Sequence, residues 1–459
     1  MIALSALAPS SRADMIFRYA DANAEALDYF RAYLRFDTTN PPSNTAAAMA
    51  YLKSILDKEG IATETFESKP GMVTLVAKIP GPAGVKPLLL VSHADVVPTV
   101  AANWTHHPFD ADVKDGYVWA RGAIDNKAHG IMALMTMLAL KRNHVELRRG
   151  VEMMVNPDEE AGGENGAGWM VKNHWDAIDP AFAFNEGGEG APDWLGLKGV
   201  TFNVAVAEKR VNWLHISVRG KGGHGSVPKP DNPNLILINA LHRLLEKQPP
   251  IRITKIFADA MESLAPLEPS PASFQLAHLD QPGIAQTAMA GVLSPYAVQA
   301  LMRDTISLTM LNAGIKVNVV PTMAEAGLDC RLLPGTDAAA FMKRLRDLLG
   351  PGDFTIDYIQ RPDDAPPSPS SGEAWDAIKR VVASDFKDAR VVPWMTTGGT
   401  DSRFIRTRGV PAYGFVPVIL GEGEISRIHG DDERLSVENL NRGIKATYDL
   451  TIDLCAAQH

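Results

Sequence analysis

Leu88-Leu89-Leu90-Val91-Ser92-His93-Ala94-Asp95 is an apolar run of strand length that stops at a histidine. Apolar residues at consecutive positions, rather than in alternation, mark a strand buried on both faces. Comparable runs lie at Met72 to Ile79, Val151 to Asn156 and Ala181 to Phe184. Around them are segments with helical apolar spacing: Ala24 to Arg35, Thr45 to Lys58 ending at Gly60, and a helix beginning near Lys127. Such alternation predicts an α/β fold with a mostly parallel sheet covered on both faces and functional groups gathered at the strand ends. His93, Glu159 with Glu160, and Glu186 each fall just after one of these strands.

The pattern changes near Arg210. Val211 to Arg219 alternates like a half-exposed strand, Asn234 to Glu246 and Ala338 to Leu349 have helical spacing, and Val317 to Val320 and Glu325 to Arg331 read as strands. This predicts an inserted α+β lid or dimerisation domain. The proline-rich stretch Arg361 to Gly372 reads as the linker that closes it, and Glu373 to Ala383 resumes as a helix. The expected domains are residues 1–209 and 363–459, two segments of one catalytic domain, with 210–362 inserted between them.

Composition narrows the function. A formal net charge of -9 over 459 residues, with no Lys/Arg-rich run, excludes a basic surface for nucleic acid. The longest apolar stretch, Ile131 to Leu140, is about half of a membrane span. Met1 to Ala8 is apolar but short and has no basic leader, so it fits a signal peptide poorly. Cys330 and Cys455 are the only cysteines, too few for a disulfide framework or a thiolate metal site. A soluble, cytoplasmic chain is the expectation, with a trimmed export signal as the reading left open.

Five potential metal ligands follow in order along the chain: His93, Asp125, Glu160, Glu186 and His429. Imidazole and carboxylate donors without thiolates suit zinc or a similar divalent ion, and five such groups can hold two ions if one carboxylate is shared. Cobalt or manganese would accept the same donors. A lone His-x-Asp or Glu-Glu pair is usually ordinary surface polarity; an ordered set is not. Because His429 lies beyond the insert, the first and last segments must fold together.

The motifs also carry a resemblance. Asn40-Pro41-Pro42, Ser92-His93-Ala94-Asp95, Arg121-Gly122-Ala123-Ile124-Asp125-Asn126-Lys127, Asp158-Glu159-Glu160, Gly223-His224-Gly225-Ser226, Lys316-Val317-Asn318-Val319-Val320-Pro321, Gly398-Gly399-Thr400-Asp401 and His429-Gly430-Asp431-Asp432-Glu433 together resemble the M20 zinc peptidases and amidohydrolases. The order of motifs matches from about residue 25 to 450, and Gly187-Gly188, Lys316 to Pro321 and the long insert from Pro249 to Gly314 look most like the carboxypeptidase S branch.

The resemblance implies two zinc ions bridged by Asp125, one held with His93 and Glu186, the other with Glu160 and His429. It also implies Glu159 as general base and Asp95 as the residue orienting the imidazole of His93. It makes His224 a hydrogen-bond donor to the developing oxyanion, within its own subunit or across a homodimer. Arg331 and Asn318, with Gly398, Gly399 and Thr400, would hold the terminal carboxylate of a small-molecule or short-peptide substrate. The implied reaction is hydrolysis of an amide bond beside a free carboxylate. A dipeptidase or other amidase, and a catalytically silent metal-binding or assembly protein, are the competing readings. The chain departs from the common family pattern at Asn126 and Ala128, neither of them a ligand, which predicts altered packing or a tuning of the groups that touch the ligands. His106, His107 and His129 are expected to be structural.

Overall fold

All six residues of Leu88–His93 are buried. The computed structural model describes residues 22–457 apart from Leu197 and Pro282. The stretch Met1 to Ala8, weighed above as an export signal, lies outside them.

The chain divides into two units, one made of Met1–Val204, Ser368–Val391 and Thr400–His459, the other of Ala205–Pro367 and Val392–Gly399. The boundaries expected at 209/210 and 362/363 therefore stand beside observed ones at 204/205 and 367/368, and a short later segment joins the second unit.

The main sheet includes β1 (Ala62–Lys69), β2 (Met72–Ile79), β3 (Leu88–His93), β4 (Val151–Asn156), β5 (Phe182–Asn185) and β6 (Ala412–Gly414), adjacent in the order β1-β2-β4-β3-β5-β6. β4, β3, β5 and β6 are mutually parallel, and β1 and β2 form an antiparallel margin. The mixed α/β fold with a mostly parallel sheet is thus present. The half-exposed strand β1 escaped sequence reading because its Thr/Glu/Phe/Glu alternation buries little. Chain order reverses at β3, with β4 on one side and β5 on the other, so a crevice opens at the strands' carboxyl ends.

Helices α1 (Ala22–Leu34), α2 (Ala46–Lys58), α3 (Lys127–Arg142), α4 (Glu373–Asp385) and α5 (Val437–Cys455) complete the layers. α3 is buried around nearly its whole circumference, as an apolar helix between a sheet and another helix must be. A Cβ on Gly130 of α3 would stand 3.2 Å from Ser92 Oγ of β3, and one on Gly443 of α5 would stand 2.4 Å from Met132 Cε, so glycine permits both close approaches. Ser436 caps α5 through its side chain, which accepts from the Asn439 N–H at 3.1 Å.

The proline-rich stretch is less of a loose linker than its composition suggests. Ser368 is buried, donates to the Ala412 carbonyl at 2.7 Å and accepts from the Ala412 N–H at 2.9 Å, which ties this stretch to the start of β6.

The second unit contains an antiparallel sheet ordered Thr305–Asn312, Met323–Leu332, Arg210–Arg219, Phe354–Gln360. Helices Pro233–Glu246 and Ala338–Leu349 share its apolar core with Leu214, Ile216 and Leu328. The expected strand Val317 to Val320 shrinks to Val319–Val320, paired with Gly223–His224. Val317 is fully exposed and takes no part. Among the described residues, no helix is long and apolar enough to cross a membrane.

Candidate metal centre

Three strand ends and two loops converge in the first unit. His93 closes β3, Glu159 and Glu160 sit in a single 3-10 turn just past β4, and Glu186 follows β5. Asp125 lies two residues before the start of α3, and His429 lies in a loop with φ of 60°.

Two groups form. His93 Nε2 is 3.0 Å from Asp125 Oδ1 and 3.2 Å from Glu186 Oε2. His429 Nε2 is 3.0 Å from both Asp125 Oδ2 and Glu160 Oε2. Within each group the ligand atoms lie inside 4.8 Å of one another, and Asp125 offers one oxygen to each. The Glu160 side chain is only 4% exposed, yet its Oε1 has no hydrogen-bond partner. An orphaned buried carboxylate oxygen amid three other acidic oxygens calls for a cation. Nitrogen and oxygen donors in this arrangement fit divalent metal ions.

Around the ligands runs a supporting network. The Asp95 carboxylate accepts the main-chain N–H groups of Glu159 and Glu160, both at 3.1 Å, and the Asn40 amide at 2.8 Å. His93 Nδ1 is nearer the Asp95 carbonyl, at 2.9 Å, than its carboxylate, at 3.5 Å. Asp95 therefore orients the ring mainly through its backbone and uses its side chain to place the Glu159-Glu160 turn. Glu433 accepts from the N–H groups of Gly122, Ile124 and Asp125 and pairs with Arg121 at 2.6 Å. Asn126 donates to Glu186 Oε2, so the departure at this position becomes a direct hydrogen bond to a candidate ligand. Asp401, a buried carboxylate, accepts from Asn156 Nδ2 at 2.9 Å.

Residues 89–453 match the family model described as Peptidase family M20/M25/M40. The chain belongs to this family. It is 30% identical over 424 residues to Aminoacylase-1 of Sus scrofa, covering 90% of this chain and 91% of that protein. It is 29% identical to a probable carboxypeptidase S-like 2 of Dictyostelium discoideum, covering 80% of this chain and 71% of the other. Its fold is similar to that of an M20 family metallo-carboxypeptidase, Sso-CP2, from Sulfolobus solfataricus, with a TM-score of 0.70, 19% identity and coverage of 94% and 99%. It is also similar, with a TM-score of 0.59, 15% identity and coverage of 94% and 99%, to the Bacillus subtilis YXEP protein, described as a dinuclear metal binding peptidase from the M20 family. This M20 chain is accordingly a hydrolytic enzyme with a metal cofactor.

Electrostatics of the M20 centre follow from its crowding of acids. Burial pushes Glu159 well above the ordinary carboxylate range, and the nearby Glu186 charge adds to it. Burial likewise raises Glu160 to about 7 and Asp401 to about 7. Burial opposes charging of His93, but Glu186, Asp125 and Asp95 outweigh it and hold the ring well above its usual value. His429 is raised to about 10, first by its contact with Asp125 and then by Glu160.

Both imidazoles of the metal-free protein therefore carry protons at neutral pH, and a metal ion must displace them. A group raised to about 10 stays protonated below that pH, so metal affinity should rise with pH through neutrality. In the metal-free protein the stabilisation from His429 is complete below the unfolded value near 6.5 and is lost as pH climbs through about 10. Calorimetric loading at pH 7 should release protons, so the measured heat should change with the ionisation enthalpy of the buffer. A heat independent of buffer would show the rings already neutral.

Other sequence candidates belong to neither ligand group. In the second unit, exposed His224 places Nδ1 2.7 Å from Ser226 Oγ. The neighbouring Gly225 N–H donates to the Asn318 carbonyl at 2.9 Å, which brings His224 and Asn318 side by side. Arg331 grips Asp329 with two hydrogen bonds, at 2.7 and 3.1 Å, and lies over the Trp213 ring. Gly398 is open to solvent, its carbonyl accepting from Thr396 Oγ1 at 2.9 Å, and Gly399 follows just outside that bend. Thr400 is buried and accepts from the Ser402 N–H at 3.2 Å. His106 pairs with Asp112 and His107 with Asp110, while His129 is buried at the start of α3 and held by burial at about 4.

Sequence reasoning left Arg121, Glu433, Asn40 and Asp401 without roles, although each stands inside a quoted motif. Their signal was membership of those motifs, and only the fold reveals what each side chain touches.

Proposed function

We propose that this M20 enzyme hydrolyses an amide bond beside a free carboxylate, as in N-acyl amino acids or the carboxyl end of short peptides. The observation that carries the reading is a half-buried carboxylate, Glu159, standing next to two ligand groups but belonging to neither. Two zinc ions, held by His93, Asp125 and Glu186 and by Asp125, Glu160 and His429, would acidify a water and polarise the scissile carbonyl.

The chain's own residues do the rest. Glu159, its main chain fixed by Asp95, takes a proton from the attacking water and passes it to the leaving amine nitrogen. His224 donates a hydrogen bond to the carbonyl oxygen as negative charge builds there. Arg331 and Asn318, with Gly398, Gly399 and Thr400, receive the substrate carboxylate, which shares the Arg331 guanidinium with Asp329. The names of the relatives, aminoacylase and carboxypeptidase, support a substrate of this class.

The test is amine release by zinc-loaded protein from a panel of N-acyl amino acids, dipeptides and their carboxyl-amidated counterparts. Cleavage confined to free-carboxylate substrates supports the reading. Dipeptides alone would make it a dipeptidase, and no cleavage with metal verified as bound would favour a silent metal-binding protein. Arg331→Ala should lower kcat/KM on free-carboxylate substrates by about tenfold or more, the loss of one charge-assisted hydrogen bond, and leave amidated ones unchanged. Equal loss on both would remove Arg331 from carboxylate recognition.

The same reading includes a homodimer. The unpaired edge strand Thr305–Asn312 and the residues after it expose Met310, Leu311, Ile315 and Val317, and such an apolar edge favours pairing with a second copy. Sedimentation at one molecular mass of the monomer would dispose of it. A cytoplasmic location is proposed on the free, buried state of Cys330 and Cys455.

A further inference from the structure

One buried ion pair ties together the two loops on which the second ligand group depends. Arg121 is 2% exposed and Glu433 0%. Arg121 Nη1 donates to Glu433 Oε2 at 2.6 Å, and its Nη2 donates to the carbonyl of Gly430, the residue after His429, at 2.7 Å. Glu433 Oε1 accepts the N–H of Ile124 at 2.7 Å and of Asp125 itself at 3.0 Å, while Oε2 also takes the Gly122 N–H at 3.1 Å. The guanidinium lies over the Trp104 ring, 5.2 Å from its centroid. Outside this pair, the His429 loop is anchored by Asp432, which accepts from Thr105 N–H and Oγ1, both at 2.7 Å.

The other ligands are held differently. His93 closes β3, Glu186 follows β5 directly, and Glu160 hangs on the Asp95 carboxylate. The pair therefore fixes two members of the second group, Asp125 and His429, but only the shared Asp125 of the first.

We propose that Arg121–Glu433 is a positioning pair for the metal centre, setting Asp125 against His429 so that the group of Asp125, Glu160 and His429 is formed before an ion arrives. The proposal rests on the two-ion reading given above. Pairing both residues with main-chain groups of the ligand loops fixes the ligands' backbones rather than their side chains, which is how outer partners tune metal affinity.

In Glu433→Gln one acceptor oxygen becomes an amide donor facing N–H and guanidinium donors. Arg121→Lys keeps the charge, but a single ammonium cannot serve both Glu433 and the Gly430 carbonyl in the same geometry.

Metal-depleted wild type and both variants are titrated with Co2+, following visible absorption and bound metal per chain, with thermal unfolding measured alongside. Wild type should take two ions. Each variant should bind the first ion within about threefold of wild type and the second about 10–100-fold more weakly, the range for losing an outer partner. Wild-type affinity for both ions in the variants overturns the proposal, as does equal weakening of both, which marks a merely structural pair. If Glu433→Gln does not fold, Arg121→Lys decides by the same criteria. A wild-type chain that binds only one Co2+ overturns the two-ion reading itself, a result distinct from two ions with unselective variants.

Discussion

Replacing Glu159 with alanine should leave the metal content of the enzyme intact and lower kcat by about 10²–10⁴-fold, the range attributed to a positioned general base. The residue sits beside both ligand groups without joining either, so its loss removes no donor. Burial and the Glu186 charge give its carboxylate an unusual appetite for a proton, the property the proton transfer requires. Glu159→Gln provides the isosteric control and should be equally impaired, because an amide fills the space but cannot accept the proton. Metal analysis and steady-state rates on one preparation settle the matter. Activity near wild type in either variant would move the base elsewhere, and loss of metal in both would recast Glu159 as a ligand.

A still larger effect is expected at Asp125. Its two oxygens face two imidazoles at 3.0 Å each, so Asp125→Ala strips a donor from both groups at once and leaves His93 and His429 without their common partner. Bound metal should fall below one ion per chain at concentrations that saturate the wild type, with activity at background. His429→Ala is the comparison: it touches one group only and should keep the ion held by His93 and Glu186. If Asp125→Ala still holds two ions, the carboxylate is not shared and the groups are independent.

Much of this architecture was legible in the sequence because its signals are local. Short unbroken apolar runs announced β3 and β4, and the ligands fall where such strands stop. The strand Thr305–Asn312 went unseen because it is an edge whose side chains are mostly exposed, which leaves little alternation to read. Val317 misled in the opposite direction, since a β-branched residue in a loop resembles one in a strand. Within the centre, the ligand residues are found by their chemistry, but their supporting partners are not. Nothing near Glu433 in the chain indicates that its carboxylate meets Arg121, 312 residues away, or that Asn126 reaches Glu186. Asp95 was legible as a helper of His93, yet the larger share of its work, holding the Glu159-Glu160 turn, depends on a contact across 64 and 65 residues.

The hydrogen bond from the Asp125 N–H to the Glu433 carboxylate closes a loop of 308 residues. The entropy of closing a chain grows only with the logarithm of its length, about 0.6 kcal/mol per doubling, so interposing a whole unit between these partners burdens the equilibrium little. The burden falls on time. Contacts between distant residues form slowly, and a ribosome adding about 5–20 residues per second delivers His93, Asp125, Glu160 and Glu186 well before His429. A nascent chain can thus assemble the first ligand group while the second waits for the final segment. Both groups are complete only once His429 has been made, and a product of premature termination ahead of it lacks a member of the second group.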